Sequence, residues 1–412
     1  MIKGGNRLYG TVNVRGAKNA VLPLMAASIL TEGEIVIDNC PSLSDVDNMG
    51  KILNSLGVNC SKVGHVLTID PSNVSSYSIP AELGKELRSS IFLLGSVLGR
   101  MKKARVSYPG GCDIGLRPID IHLNCLRDLG VKIEEEHGYI FCDARDIHGG
   151  DVHMDYPSVG ATENVILASV LTPGITTVYN PAREPEIVDL QNFLVSMGAK
   201  IKGAGSSVIR IEGVKRLSGT RYSTMPDRIV AGTIMSAVAM CGGDVTLTSV
   251  NSKHLKSLIS KLKKTSCNII EKSDIIRISQ KSRPLSPIAI ETQPYPGFPT
   301  DLQAEIMAVS AVADGTTLIT ENIFETRFKH VPELIKMKAD IVVKGKTAIV
   351  RGVPRLIGAE VNAEDLRGGA ALIIAGLSAE GTTVVNNIRY VDRGYEKIEN
   401  LFRDLGGDIQ RV

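Results

Sequence analysis

The sequence predicts an α/β protein of two domains, an inside-out α/β barrel in which six repeated β-α-β-α-β units, three per domain, place strands around buried helices. Three observations predict it. The chain has 412 residues, beyond the roughly 250–300 at which a single hydrophobic core stops growing, so two cores are expected. A glycine followed by a β-branched strand recurs at nearly constant spacing. Between these strands, helices that are apolar all round alternate with helices that are apolar on one stripe.

The strand signal first occurs at Gly33, before Glu34-Ile35-Val36-Ile37-Asp38. It returns at Lys103, Gly174, Gly243, Gly315 and Gly381, at intervals of 66 to 72 residues. A fixed period of this length marks one supersecondary unit used repeatedly, here a helix end, a turn and a strand. A second signal confirms the period. Leu56-Gly57-Val58, Leu129-Gly130-Val131, Met197-Gly198-Ala199 and Leu405-Gly406-Gly407 each close an amphipathic helix and open another strand. In the fourth and fifth units Thr265-Ser266-Cys267 and Met337-Lys338-Ala339 replace the glycine, and the turn there is expected to use another conformation.

Residues 20–30, 91–98 and 370–377 are apolar almost all round and should be buried. Residues 255–262 carry Leu255, Leu258, Ile259 and Leu262 on one stripe, with Lys256, Lys261, Lys263 and Lys264 off it. That helix belongs outside, and its lysine run is a solvated face without assigned function.

About fifteen residues before each strand signal a buried helix should begin, and these starts hold Lys18 and Asn19, Arg88, Ser158 to Thr162, Asp227 and Arg228, Asp301, and Arg367. Helix N-termini present unsatisfied N–H groups and about half a positive charge each, so converging tips would make an anion-attracting cleft. Serine and aspartate at such places are ordinarily caps, and Asp301 alone would be read that way. Lys18, Arg88, Arg228 and Arg367 are different, because the helix dipole disfavours cations there. Something negative should offset them.

The second unit carries Ser107-Tyr108-Pro109-Gly110-Gly111-Cys112-Asp113-Ile114-Gly115-Leu116-Arg117-Pro118-Ile119-Asp120-Ile121-His122 after its strand. Two prolines and three glycines around one cysteine exclude continuous helix or strand. Arg117 is a fixed charge that could lower the thiol's pKa or hold an anion. A lone cysteine in a turn is ordinarily structural, but its place in the repeat singles it out. Residues 323–330, Ile-Phe-Glu-Thr-Arg-Phe-Lys-His, and 390–396, Tyr-Val-Asp-Arg-Gly-Tyr-Glu, fill the same place in the fifth and sixth units. Asn180 to Glu186 fills it in the third, where a salt-linked structural turn is expected.

Composition narrows the function further. Net charge is +3, too balanced for non-specific nucleic-acid binding. Tryptophan is absent and aromatics are 4%, so the cores should be aliphatic. Seven cysteines without a C-x-x-C pair suggest reduced thiols in the cytoplasm. The start lacks the apolar core of a signal peptide, and no apolar run reaches the roughly 18 residues of a membrane span.

Gly16-Ala17-Lys18-Asn19-Ala20, Pro109-Gly110-Gly111-Cys112, Arg117-Pro118-Ile119-Asp120, Pro296-Gly297-Phe298-Pro299-Thr300-Asp301 and Asp392-Arg393-Gly394-Tyr395-Glu396 together resemble the signatures of the enolpyruvyl transferases. The likeness runs over essentially the whole chain and favours the members that act on UDP-N-acetylglucosamine. It implies transfer of the enolpyruvyl group of phosphoenolpyruvate to the sugar's 3-hydroxyl with release of phosphate, early in peptidoglycan synthesis, in the cytoplasm. It also implies a first domain over 18–226 and a second over 1–17 plus 227–412. The relative that makes 5-enolpyruvylshikimate 3-phosphate shares the fold but lacks the cysteine loop, so Cys112 discriminates.

By this resemblance Cys112 is the general acid, able also to form a covalent adduct and to react with fosfomycin, and Asp301 is the base. Lys18, Arg117 and Arg393 would hold phosphate, Arg327 and Arg367 the carboxylate, with Asn19 and Arg88 near the phosphoenolpyruvate. Asn19, Arg88, Arg117, Pro118, Ile119, Asp120, Ile121, Ser158, Val159, Gly160, Asp301, Ile323 and Phe324 would meet the nucleotide sugar. No metal and no cofactor are expected, and the partners are the two small-molecule substrates, without nucleic acid.

Two other readings compete. Cys112, His122, Cys125, His137 and Cys142 fall in one region, but their spacing matches no tight zinc-ligand pair. A non-catalytic nucleotide-sugar binder would have no physical need for Cys112, Asp301, Lys18 and Arg393 together. Asp113 departs from the family pattern beside the cysteine, where a small residue is frequent; an acid there opposes the thiolate while Arg117 favours it, and the sequence leaves the net effect on the thiol open.

Overall fold

The computed structural model describes residues 1–86, 88–108, 119–281 and 285–412, without the side chains of 85, 86, 88 and 89. Among these residues the strands form six sheets on one plan. In the third unit Ile175–Tyr179 runs parallel to Asp151–His153 on one side and antiparallel to Val208–Glu212 on the other, and Val208–Glu212 pairs in turn with Lys200–Lys202. The first, fourth and fifth sheets repeat this order around Ile35–Asp38, Gly243–Thr248 and Thr316–Thr320. In the second, a single parallel bridge from Ser78 to Arg105 stands where the parallel strand would be.

The chain closes these sheets out of sequence order. Thr220–Ser223, at the end of the third unit, supplies the parallel strand of the first sheet. Leu8–Asn13 supplies that of the fourth, and Ile2–Lys3 takes an antiparallel place between Thr382–Asn386 and Asp408–Ile409 in the sixth. Two compact units result, one holding described residues of 16–225 and the other 1–15 with 226–412. Each has its own large apolar core.

In the unit around residues 16–225 the buried helices are Lys18–Ala27, Phe92–Met101 and Val159–Ser169. In the other they are Arg228–Cys241, Gln303–Ser310 and Leu366–Ser378, which pack on one another. Their sides are apolar because no side faces water. Strands of the sheets that cover them alternate, as in Gly243–Thr248, where Val245 and Leu247 point inward. The helix Lys256–Lys264 buries only Leu258, Ile259 and Leu262, and its lysines lie off that stripe.

The turns that close the amphipathic helices correct one expectation. Gly57, Gly130, Gly198 and Gly406 have φ of 92°, 86°, 100° and 93°, and Ser266 and Lys338 take the same left-handed backbone, at 74° and 70°. The cause is the hydrogen bond that ends each helix. Val58 donates to Leu53 O at 3.1 Å, Val131 to Leu126 O at 3.1 Å, Ala199 to Leu194 O at 2.9 Å and Gly407 to Phe402 O at 2.8 Å. Cys267 likewise donates to Leu262 O at 3.3 Å and Ala339 to Leu334 O at 3.1 Å. This closure requires a residue in the left-handed region whatever its side chain. In the second unit Lys102, rather than Lys103, takes the left-handed C-cap at φ 59°.

Ser266 and Lys338 are exposed, so their side chains gain little from packing while the backbone is strained. A left-handed non-glycine residue costs about 1–2 kcal/mol, and glycine's extra chain entropy offsets about half of that. Ser266→Gly and Lys338→Gly should each raise the denaturant midpoint of unfolding, by about 0.5–1 kcal/mol in stability. A midpoint that falls in both variants would show that the backbone there is unstrained.

Candidate active site

In the unit formed by 1–15 and 226–412 the charged helix tips come together. The Asp301 carboxylate lies in the turn Thr300–Leu302 that leads into Gln303–Ser310, and makes no cap. Its Oδ1 instead accepts from Arg327 Nη2 at 3.1 Å and from Arg367 Nε at 3.1 Å. Both arginine side chains are 4% exposed, against 30% for Asp301. Arg367 is the second residue of Leu366–Ser378, whose cap is Asp365, accepting from the N–H groups of Arg367 and Gly368 at 2.9 and 3.0 Å. The negative group that the sequence required beside Arg367 is therefore Asp301, while Asp365 satisfies the backbone of the helix start.

Behind them lies a buried polar chain. Arg367 Nη1 donates to Tyr395 Oη at 3.2 Å, and Tyr395 Oη donates to Glu305 Oε1 at 3.2 Å. Thr233 Oγ1 is 2.8 Å from Tyr395 Oη, so the three buried helices are tied together by side chains near their starts. Burial pushes the Glu305 carboxyl up to about 7, although Arg367 pulls the other way. Burial also lowers His330 to about 4, with Asp365 opposing, which keeps that ring neutral beside Arg327.

Ile323 and Phe324 are set by Glu321. Its Oε1 accepts from their N–H groups at 2.9 and 3.1 Å and from Thr292 Oγ1 at 2.9 Å, while Oε2 accepts from Thr300 Oγ1 at 3.0 Å. Arg327 lies over the Phe324 ring, 5.6 Å from its centroid, and also donates to Thr300 O at 3.3 Å. Arg393 ends the short helix Ile388–Arg393 and is half-buried. Its neighbour Asp392 is held by Arg411 at 2.9 and 2.7 Å.

In the unit around 16–225, Lys18 opens its helix and pairs with buried Asp45 at 3.2 Å. Asn19 follows it in the same turn. Ser158 caps Val159–Ser169, accepting from Ala161 N at 3.3 Å. Gly160 lies against the His122 ring: an added Cβ would sit 2.8 Å from His122 Cε1 and 3.1 Å from Phe92 Cε1. Ser158, Val159 and Gly160 are thereby brought beside the helix Asp120–Asp128, which carries Asp120 and Ile121 and follows Ile119. Asn164 fixes this junction. Its Nδ2 donates to Ile91 O at 3.0 Å and to His122 Nδ1 at 2.8 Å, and its Oδ1 accepts from Gly95 N at 2.8 Å. With both amide hydrogens used, His122 Nδ1 is assigned as an acceptor and its proton belongs on Nε2.

Cys112, Asp113, Arg117 and Pro118 lie outside the described residues, as does the side chain of Arg88, whose backbone opens the turn Arg88–Ile91. Sequence reasoning missed Asp45, Glu305, Glu321, Asp365 and the phenol of Tyr395 as parts of these clusters. Only Asp365 had a local signal, as an acid two positions before a tip arginine. Among the described residues no group of three or more His, Cys, Asp or Glu could hold a metal ion. Of the zinc candidates, His122 is bonded to Asn164, and burial pushes the thiols of Cys125 and Cys142 up to about 12.

The family model described as EPSP synthase (3-phosphoshikimate 1-carboxyvinyltransferase) matches residues 2–402. The chain belongs to the enolpyruvyl transferase family. It is 53% identical over 411 residues to "UDP-N-acetylglucosamine 1-carboxyvinyltransferase 2" of Caldanaerobacter subterraneus subsp. tengcongensis, covering 100% of this chain and 99% of that one. It is 47% identical to "UDP-N-acetylglucosamine 1-carboxyvinyltransferase" of Clostridium botulinum, with the same coverage. Among solved structures, the enolpyruvyl transferase NikO from Streptomyces tendae superposes with a TM-score of 0.90 at 25% identity, covering 99% of this chain and 97% of that one. An EPSP synthase from Acinetobacter baumannii shares the fold, with a TM-score of 0.76 at 20% identity over 99% of this chain and 98% of that one. The α/β architecture of this enolpyruvyl transferase is thus that of its family. No helix among the described residues is long and apolar enough to cross a membrane.

Glu305 makes the site's pH dependence testable. Its folded value of about 7 lies above the ordinary carboxyl value of about 4.5, so its contribution to stability is complete below about 4.5 and is lost as pH rises through about 7. Glu305→Gln removes that loss. The variant's stability relative to the parent should improve by about 2–3 kcal/mol between pH 4.5 and pH 8, read from denaturant unfolding at each pH. A pH-independent difference would contradict the assignment.

Proposed function

We propose that this chain transfers the enolpyruvyl group of phosphoenolpyruvate to the 3-hydroxyl of UDP-N-acetylglucosamine and releases phosphate, committing the nucleotide sugar to peptidoglycan synthesis in the cytoplasm. The observation that carries the reading is the Asp301 carboxylate between Arg327 and Arg367 at the tips of buried helices. It stands in a chain whose full-length relatives bear the name of that activity.

The reaction needs a proton on the methylene carbon of phosphoenolpyruvate and a bond from the sugar oxygen to its central carbon. The tetrahedral adduct then expels phosphate and returns a proton from the new methyl group, leaving an enol ether. Cys112 delivers the first proton and can add its sulfur to the same central carbon to form a covalent adduct. Asp301 accepts the proton of the sugar hydroxyl. Lys18, Arg117 and Arg393 hold phosphate, and Arg88 serves the junction with the cysteine loop.

Arg327 and Arg367 receive the carboxylate of phosphoenolpyruvate, which takes over the place that Asp301 fills without substrate. Once those guanidiniums turn to the substrate, Asp301 is freer to accept a proton. Asn19, Ile119, Asp120, Ile121, Ser158, Val159, Gly160, Ile323 and Phe324, with Pro118, contact the nucleotide sugar.

A phosphate-release assay with both substrates tests this directly. The parent should release phosphate with UDP-N-acetylglucosamine, and none when 3-phosphoshikimate replaces it. Asp301→Asn should lower kcat about 100-fold or more while the nucleotide sugar still binds, and an active variant would remove the residue as base. Cys112→Ser should impair turnover. Fosfomycin should alkylate Cys112 alone in intact-mass and peptide analysis, since burial pushes Cys60, Cys125 and Cys142 up to about 12 and keeps those thiols protonated. Label on another cysteine, or on none, would contradict the role given to Cys112.

A further inference from the structure

We infer that Glu321 is a positioning residue that holds the catalytic base and the nucleotide-sugar contact in one fixed relation. The assignment rests on the functional reading above. Glu321 is 2% exposed and directly follows the strand Thr316–Thr320. One carboxylate accepts four hydrogen bonds, from Thr292 Oγ1, Thr300 Oγ1, Ile323 N and Phe324 N, at 2.9 to 3.1 Å. Such a count nearly exhausts what a carboxylate can accept, and all four partners are donors toward it.

Three of the four partners belong to two functional segments. Thr300 is the residue before Asp301 and opens the same short turn. Ile323 and Phe324 begin the connection that carries Arg327, the first of the two guanidiniums on Asp301. Thr292 ties the same carboxylate to the chain beyond Ala289–Glu291 and in addition receives Asn322 N at 2.9 Å on its Oγ1. A shift of Glu321 therefore moves Asp301 through Thr300 and moves the 323–324 backbone at the same time. Neither effect requires Glu321 to touch a substrate. Small displacements of reacting groups are costly in rate, of the order of 100-fold for about 1 Å.

The two arms can be separated by substitution. Thr300→Val cuts only the link to Asp301 and should lower kcat about tenfold, with the dissociation constant of UDP-N-acetylglucosamine, from calorimetry, within about twofold of the parent. Glu321→Ala cuts both arms and should lower kcat at least as far while weakening nucleotide-sugar binding about tenfold. Glu321→Gln keeps an acceptor oxygen for the two backbone N–H groups and an amide that can donate to Thr300 Oγ1. It should return both quantities to within about threefold of the parent. Thermal melts accompany each variant, and if Glu321→Ala does not fold, the split in Thr300→Val decides. An active parent whose folded Glu321→Ala and Thr300→Val variants match it overturns the assignment alone. A folded parent that releases no phosphate from these substrates overturns the functional reading, and this assignment with it.

Discussion

Two buried guanidiniums facing one carboxylate are the constraint on which the unit of residues 226–412 depends. Arg367 lies at a helix start, where the backbone already presents partial positive charge. Its charge is not dissipated by water, because the side chain is 4% exposed. An uncompensated ion in that place would cost several kcal/mol. The unit therefore has to keep a negative group at this point, and Asp301 is that group. Under the proposed function the substrate carboxylate would meet cations whose orientation is already fixed.

The rest of the scaffold serves to hold those charges still. The apolar helices pack on one another, and the chain Arg367, Tyr395, Glu305 and Thr233 ties all three helices of the unit near their starts. Outside them, each amphipathic helix is closed by the same hydrogen bond, whose geometry holds Ser266 and Lys338 in the left-handed region. The unit of residues 16–225 uses an ion pair at one helix start, Lys18 with Asp45, and neutral devices around another: a serine cap at 158, a glycine that admits the His122 ring, and an amide at Asn164 whose oxygen and nitrogen are both hydrogen-bonded.

Much of this was legible in the sequence, and the parts that were not share a cause. The repeat, the all-apolar helices and their polar starts follow from period and pattern, which are local properties. So does the demand for an anion beside Arg367, because a cation at a helix start is anomalous wherever it occurs. The identity of that anion was partly hidden, since Asp301 at a helix start reads equally well as a cap. Glu321 and Thr300, or Lys18 and Asp45, are partners across sequence distance, and nothing local announces a pairing made only by the sheet and helix packing. The turns at Ser266 and Lys338 misled for a different reason: residue preference pointed one way and the hydrogen bond that ends the helix prevailed. Cys112 stands apart, because its role is read from sequence and family resemblance while its loop lies outside the described residues.

The central claim is that Arg327 and Arg367 pass from Asp301 to the substrate carboxylate. A crystal structure with UDP-N-acetylglucosamine and phosphoenolpyruvate, trapped in an inactive Cys112→Ala protein, measures it most directly. The account predicts that both guanidiniums contact the carboxylate of phosphoenolpyruvate and have left Oδ1 of Asp301, which faces the sugar's 3-hydroxyl. A complex in which both arginines remain on Asp301 while the substrate carboxylate lies elsewhere would contradict it.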